Sequence, residues 1–143
     1  MLKLHDLAAE FDDLDDREKL ETLMDFSETL PDPSGKHGLL RGNETCRVQE
    51  CQTPVYMWIG INDGKTELEA DVPRSSPTVR GLVSLIIEGI QGAPPQEVLE
   101  LPDDLLPLLK LESVLGMTRS QGVRGMIARI KRELIAALDE SSL

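Results

Sequence analysis

PVYMWIGINDGKTELEAD, residues 54–71, is the stretch that decides the fold of this 143-residue chain. Its first part, residues 54–61, is a continuous apolar run rich in residues that favour β-strands. Asp63-Gly64 favours a tight hairpin turn, since this pair readily adopts positive φ angles. Residues 67–71 then alternate between acidic and apolar side chains, as a strand with one buried face does. The stretch therefore predicts a β-hairpin, and Thr45 to Gln49 is predicted to add a third antiparallel strand.

Helices are predicted on both sides of this hairpin. Before it, residues 1–13 predict a short helical segment, and Asp15 to Leu30 predict a longer helix. After it, one apolar stripe at helical spacing follows Ser76-Pro77, and another runs from about Ser120 to Asp139. We therefore expect a single α+β domain over residues 1–143, in which helices cover a small three-stranded antiparallel sheet.

The composition excludes several classes of partner. The chain has 26 acidic and 15 basic side chains, a formal net charge of −11, which disfavours binding to nucleic-acid phosphates or to anionic membranes. No stretch approaches the roughly 20 apolar residues that cross a bilayer. Acidic residues between Met1 and Asp16 do not fit a signal or transit peptide, so we expect a cytoplasmic protein.

The charges are unevenly distributed along the chain. Residues 1–32 contain 11 acids and 3 bases. Residues 113–132 contain no acidic residue, and their bases form a basic stripe: Arg119, Arg124, Arg129, Lys131 and Arg132. These two regions predict ordinary solvated faces, attraction between the two, or docking surfaces for protein partners.

Few reactive groups are available for chemistry. The two cysteines and two histidines have none of the paired spacings of a zinc site, so we expect no metal ion. No glycine-rich phosphate loop has a strand–loop–helix setting. The remaining candidate is Cys51, which we place on an exposed loop where its sulfur can meet another protein. Cys46 is expected to be buried in the first strand, and a resolving thiol is the alternative.

Four segments, in order along the chain, resemble one known family. Arg47 to Val55 (RVQECQTPV) looks like the cysteine loop of the SufE family of sulfur-acceptor proteins, and residues 63–71 occupy its hairpin. Val79 to Leu82 (VRGL) resembles its helix start, and Thr118 to Gly122 (TRSQG) resembles its SRSQGL segment. The similarity runs from about Leu14 to Leu138, which is nearly the whole chain.

The resemblance implies a fold and a function. It implies an α+β fold with a three-stranded sheet, shared with Fe–S scaffold proteins of the IscU type. It also implies that Cys51 accepts sulfane sulfur from the persulfide of a SufS-like cysteine desulfurase, stimulates that enzyme, and passes sulfur to a SufBCD-like scaffold complex. The PLP belongs to the desulfurase, so the chain is expected to need no cofactor and to act as a persulfide-forming carrier rather than an independent catalyst.

Residues near Cys51 and on the basic stripe are candidates to support the thiol or to dock a partner. Arg119 is a candidate for stabilising the thiolate or for docking, and Asp71 and Gln52 are further candidates for support or docking. Glu50 stands where the family usually has glycine, and its charge is expected to raise the pKa of the thiol. An apolar shelter for a persulfide is expected from three neighbouring side chains: Tyr56, Met57 and Trp58.

Two other functions stay open at this stage. The chain could be an Fe–S scaffold or carrier, since the fold is shared, although such scaffolds commonly use three cysteines and this chain has two. It could also be a protein-binding adaptor in which the cysteine is incidental. Self-association into a homodimer is left open by the sequence.

Overall fold

The computed structural model has an α+β architecture, which confirms the predicted fold class. It describes residues 3–33, 35, 46–48, 51 and 53–141, without the side chains of residues 117–119 and 141. The helices and strands, in chain order, are α1 (Lys3–Ala9), α2 (Asp16–Thr29), β1 (Tyr56–Asn62), β2 (Lys65–Asp71), α3 (Pro77–Ile90), α4 (Pro95–Leu99), α5 (Leu106–Leu109) and α6 (Glu112–Ser141).

The predicted hairpin is present. Strands β1 and β2 pair antiparallel in a register that sets Tyr56 opposite Asp71. The turn between them consists of Asp63 and Gly64, whose φ angles are 53° and 76°. Both turn residues therefore adopt the positive φ angles that a two-residue hairpin loop requires.

The predicted third strand is not confirmed. In the described part of the chain the sheet has two strands, and Arg47 adds one isolated antiparallel bridge to Tyr56. Next to this bridge, the Val48 amide donates a hydrogen bond to the Val55 carbonyl at 2.8 Å. The two end residues of the predicted strand, Thr45 and Gln49, lie outside the described part. Among the described residues, the segment before β1 therefore lies alongside the hairpin through these contacts.

Helix α2 begins where the sequence predicts. Asp15 is its N-cap and forms a reciprocal capping box with Glu18: the Glu18 amide donates to Asp15 Oδ1 at 2.8 Å, and the Asp15 amide donates to Glu18 Oε1 at 3.1 Å. The helix ends before Leu30, and Pro31 follows, which cannot continue it.

Helix α3 is the central element of the helical layer. Pro77 occupies its first turn as predicted, although the Ser76 side chain makes no capping hydrogen bond. Most of its residues are buried, because α1 and α2 both pack against it. Gly81 and Gly89 permit this close approach. A Cβ atom at Gly81 would lie 1.9 Å from the Leu23 carbonyl oxygen, which is a backbone atom of α2.

Arg80, at the start of α3, is a buried cation with 4% of its surface exposed. Its Nε donates to the Ser27 carbonyl at 2.8 Å, and its Nη2 donates to the Leu30 carbonyl at 3.1 Å. Its Nη1 donates to the Val72 carbonyl at 2.6 Å. The guanidinium therefore joins the C-terminal end of α2, where the helix dipole is negative, to the end of β2.

Helix α6 is longer than the predicted segment from about Ser120 to Asp139. It extends over Glu112–Ser141 and is broken at Gly116, whose φ angle of 74° is readily available to glycine. The helix packs against β1. None of the helices in the described residues is long and apolar enough to cross a membrane.

Candidate functional site

Cys51 lies on an irregular segment before β1, as predicted, but its thiol is buried. Only 8% of the residue is exposed, and it belongs to the main hydrophobic core. Its amide donates to the Val48 carbonyl at 3.2 Å. The expectation of an exposed thiol is wrong for this conformation, because α6 packs over the sulfur.

Gly122 of α6 contacts Cys51. Cys51 Sγ lies 3.7 Å from the Gly122 carbonyl oxygen and donates a weak S–H hydrogen bond to it. A Cβ atom at Gly122 would lie 3.1 Å from Sγ and 3.8 Å from the Cys51 Cα. The sulfur therefore packs against a helix surface that stays open because residue 122 has no side chain.

This geometry protects the thiol. Apolar surroundings disfavour the thiolate, which is the nucleophilic form of cysteine. Exchange with a sulfur of another protein also requires access to Sγ. Cys51 must therefore move away from Gly122 before its sulfur can react with a partner.

Cys46 is the more exposed of the two thiols, which corrects the expectation that it is buried. It is half-buried and lines a groove of about 540 Å³ together with Met57, Trp58, Arg129 and other residues. Two of the three side chains expected to shelter Cys51 thus line the groove of Cys46. The two cysteines do not form a disulfide.

Other predicted site residues lie elsewhere or outside the described part. Asp71 is half-buried and lines a second groove together with Tyr56 and Arg80. Gly122 and Arg80 were not assigned roles by sequence reasoning. Both lie in segments that resemble the family, but each role depends on contacts with distant parts of the chain. Three predicted residues lack a described side chain: Glu50, Gln52 and Arg119.

The basic stripe of α6 makes internal contacts. Arg124 pairs with Asp104 at 3.1 Å, and Lys131 pairs with Asp103 at 2.9 Å. Arg129 donates to the Arg47 carbonyl at 2.9 Å. These contacts attach α6 to the α4–α5 connection and to the segment that precedes Cys51, and near the start of α6 the Ser113 hydroxyl donates to Asp16 Oδ1 at 2.8 Å.

The described residues offer no ready metal centre. No group of three or more histidine, cysteine, aspartate or glutamate side chains among them is arranged to hold a metal ion.

Comparisons with known proteins identify the family of the chain. The family model "SufE: Fe-S metabolism associated domain" matches residues 5–134, which extends further toward the start of the chain than the resemblance in the sequence suggests. The chain is 30% identical over 133 residues to an uncharacterised SufE-like protein of Mycobacterium tuberculosis, covering 92% of this chain and 90% of that protein.

Two further matches concern a named protein and a solved structure. The chain is 25% identical over 124 residues to the cysteine desulfuration protein SufE of Plasmodium vivax, covering 79% of this chain and 51% of that protein. The solution structure of a hypothetical protein from Thermus thermophilus superposes with a TM-score of 0.82 and 29% identity, covering 96% of each chain. The chain therefore belongs to the SufE family.

Proposed function

We propose that this chain is a sulfur acceptor that takes sulfane sulfur from a cysteine desulfurase onto Cys51. Membership of the SufE family implies a role in sulfur transfer for Fe–S metabolism. The observation that carries the more specific proposal is the Cys51 thiol, which lies inside the matched region and is sheltered from solvent by α6. A persulfide is easily reduced or oxidised, so a carrier benefits from such shelter.

The transfer step exchanges one sulfur–sulfur bond for another. The Cys51 thiolate attacks the outer sulfur of the persulfide on the desulfurase. A bond forms between Cys51 Sγ and this outer sulfur, while the bond between the two sulfurs of the desulfurase persulfide breaks. The desulfurase cysteine leaves as a thiolate, so the step needs no external oxidant or reductant.

The persulfide formed on Cys51 then passes its outer sulfur to an Fe–S assembly scaffold of the SufBCD type. Removal of sulfur frees the desulfurase for another turnover, so the chain acts as an activator of that enzyme. We further propose that this occurs in the cytoplasm, where thiols are kept reduced, a setting that suits two cysteines without a disulfide.

A desulfurase assay tests this function. Alanine formation from L-cysteine by a SufS-like desulfurase is measured with no addition, with the wild-type chain, and with Cys51→Ser. We expect the wild type to accelerate turnover and Cys51→Ser to return it to the rate of the desulfurase alone. Cys46→Ser is the matched control, because it also removes one thiol, and it should retain the stimulation.

Full stimulation by Cys51→Ser would contradict the proposal. In that case contact with the desulfurase would suffice, and the chain would be an adaptor rather than a sulfur acceptor. A stable coloured cluster after anaerobic reconstitution with iron and sulfide would instead favour an Fe–S scaffold. The described residues lack a three-ligand group for such a cluster.

A further inference from the structure

Gly122 stands inside α6, where glycine needs an explanation. Glycine weakens a helix interior because it loses more conformational freedom on folding than other residues. Gly122 also lies within the helical part of α6 beyond the break at Gly116, so no turn or positive φ angle explains it. Its close neighbour is Cys51, whose sulfur would lie 3.1 Å from a Cβ atom at this position. This distance is shorter than ordinary van der Waals contact, so a side chain here would compete with the thiol for space.

The carbonyl of Gly122 also favours one protonation state of Cys51, in addition to the space that the absent side chain leaves for the sulfur. It accepts the S–H of Cys51 at 3.7 Å. A protonated thiol can donate in this way, whereas a thiolate has no hydrogen to donate and would face the negative end of the carbonyl dipole. The contact therefore favours the protonated, non-nucleophilic form of Cys51 in its buried position.

We propose that Gly122 is a positioning residue that holds the Cys51 thiol in its buried, unreactive position. This inference rests on the proposed function of Cys51 and describes the regulation of that site. The absent side chain gives the sulfur its space, and the carbonyl selects the thiol form. Enlarging residue 122 shifts Cys51 toward the released position without any partner.

Alkylation of Cys51 by iodoacetamide tests this proposal without a desulfurase. The experiment uses the full chain with Cys46→Ser, so that Cys51 is the only thiol. Adding Gly122→Ala is expected to accelerate alkylation about tenfold, which corresponds to about 1.4 kcal/mol less preference for the buried position. Ala128→Ser, at an exposed position of the same helix, is the matched control and should leave the rate unchanged.

A second measurement separates release of the thiol from general damage to the helix. The loss of unfolding free energy caused by Gly122→Ala is measured in the chain with Cys51 and again in the chain with Cys51→Ala, which forms a double-mutant cycle. The cost should largely disappear with Cys51→Ala, because the sulfur that competes for the space is gone. This comparison distinguishes competition between the sulfur and residue 122 from general damage to the helix, even if Gly122→Ala folds poorly at ambient temperature.

An unchanged alkylation rate in folded Gly122→Ala would overturn the proposal, and so would an equal unfolding cost in both backgrounds. Faster alkylation together with a failure of Cys51 to accept sulfur would have a different meaning. The inference about Gly122 would stand, and the proposed function of Cys51 would fall.

Discussion

Replacing Arg80 with methionine is expected to lower the free energy of unfolding by about 3 kcal/mol or more, since about 1–3 kcal/mol is lost for each buried polar group deprived of its partner. Methionine keeps an unbranched apolar stem but donates no hydrogen bond. The carbonyls of Ser27, Leu30 and Val72 would each lose the donor that Arg80 supplies. Because two of these carbonyls lie at the C-terminal end of α2 and the third follows β2, loss of the hydrogen bonds loosens the junction of α2, β2 and α3.

Chemical denaturation followed by circular dichroism measures this effect. Arg74→Met is the matched control, because Arg74 is exposed and lines the same groove as Arg80. We expect the control to change stability by no more than about 0.5 kcal/mol. Arg80→Lys should be destabilised as well, because an ammonium group lacks the planar fork that reaches three carbonyls. Wild-type stability in Arg80→Met would contradict the role assigned to this residue.

Replacing Gly81 with alanine is expected to destabilise the protein by at least about 2 kcal/mol, the range typical of overpacked cores. The added Cβ would lie 1.9 Å from the Leu23 carbonyl oxygen. This neighbour is backbone rather than a flexible side chain, so the two helices must move apart. The loss should appear although alanine favours helix over glycine by about 1 kcal/mol in an unhindered position.

Gly60→Ala is the control for the Gly81 substitution. Gly60 lies in β1, and a Cβ atom there meets nothing within 4 Å. We expect this variant to be as stable as the wild type or slightly more stable, since alanine restricts the unfolded chain. The same thermal or chemical unfolding assay compares the two. Equal stability of Gly81→Ala and the wild type would show that α2 and α3 do not need this close approach.

The fold could be predicted where the signals are local. The hairpin over residues 54–71 is specified by its own strand residues and by Asp63-Gly64, and Asp15 caps α2 with a residue three positions away. Arg80 is different. Nothing near it in the sequence predicts a buried cation, because its acceptors come from the ends of α2 and β2. The third strand was predicted from residue type and from the family resemblance, and strand propensity depends strongly on tertiary context.

In the candidate site, too, local sequence predicts some features, whereas contacts with distant residues determine others. Cys51 could be singled out because its neighbours resemble a known cysteine loop. A shelter was expected from its neighbours Tyr56, Met57 and Trp58, but Gly122, which contacts the buried sulfur, lies 71 positions away and could not be identified from local sequence. Cys51 was predicted to be exposed and Cys46 to be buried, whereas Cys51 is buried and Cys46 is half-buried. The packing of α6 over Cys51, which joins distant parts of the chain, accounts for the burial of Cys51. Arg124 and Lys131 of the basic stripe pair with Asp104 and Asp103, partners that the charge distribution along the chain does not single out.

The most direct test of the account is the intact mass of the protein after incubation with a cysteine desulfurase and L-cysteine. We expect the wild type and Cys46→Ser each to gain the mass of one sulfur atom, and a thiol reductant should remove it. Cys51→Ser should gain none. An equal gain in Cys51→Ser, or no gain in the wild type beside an active desulfurase, would contradict the claim that Cys51 is the sulfur acceptor.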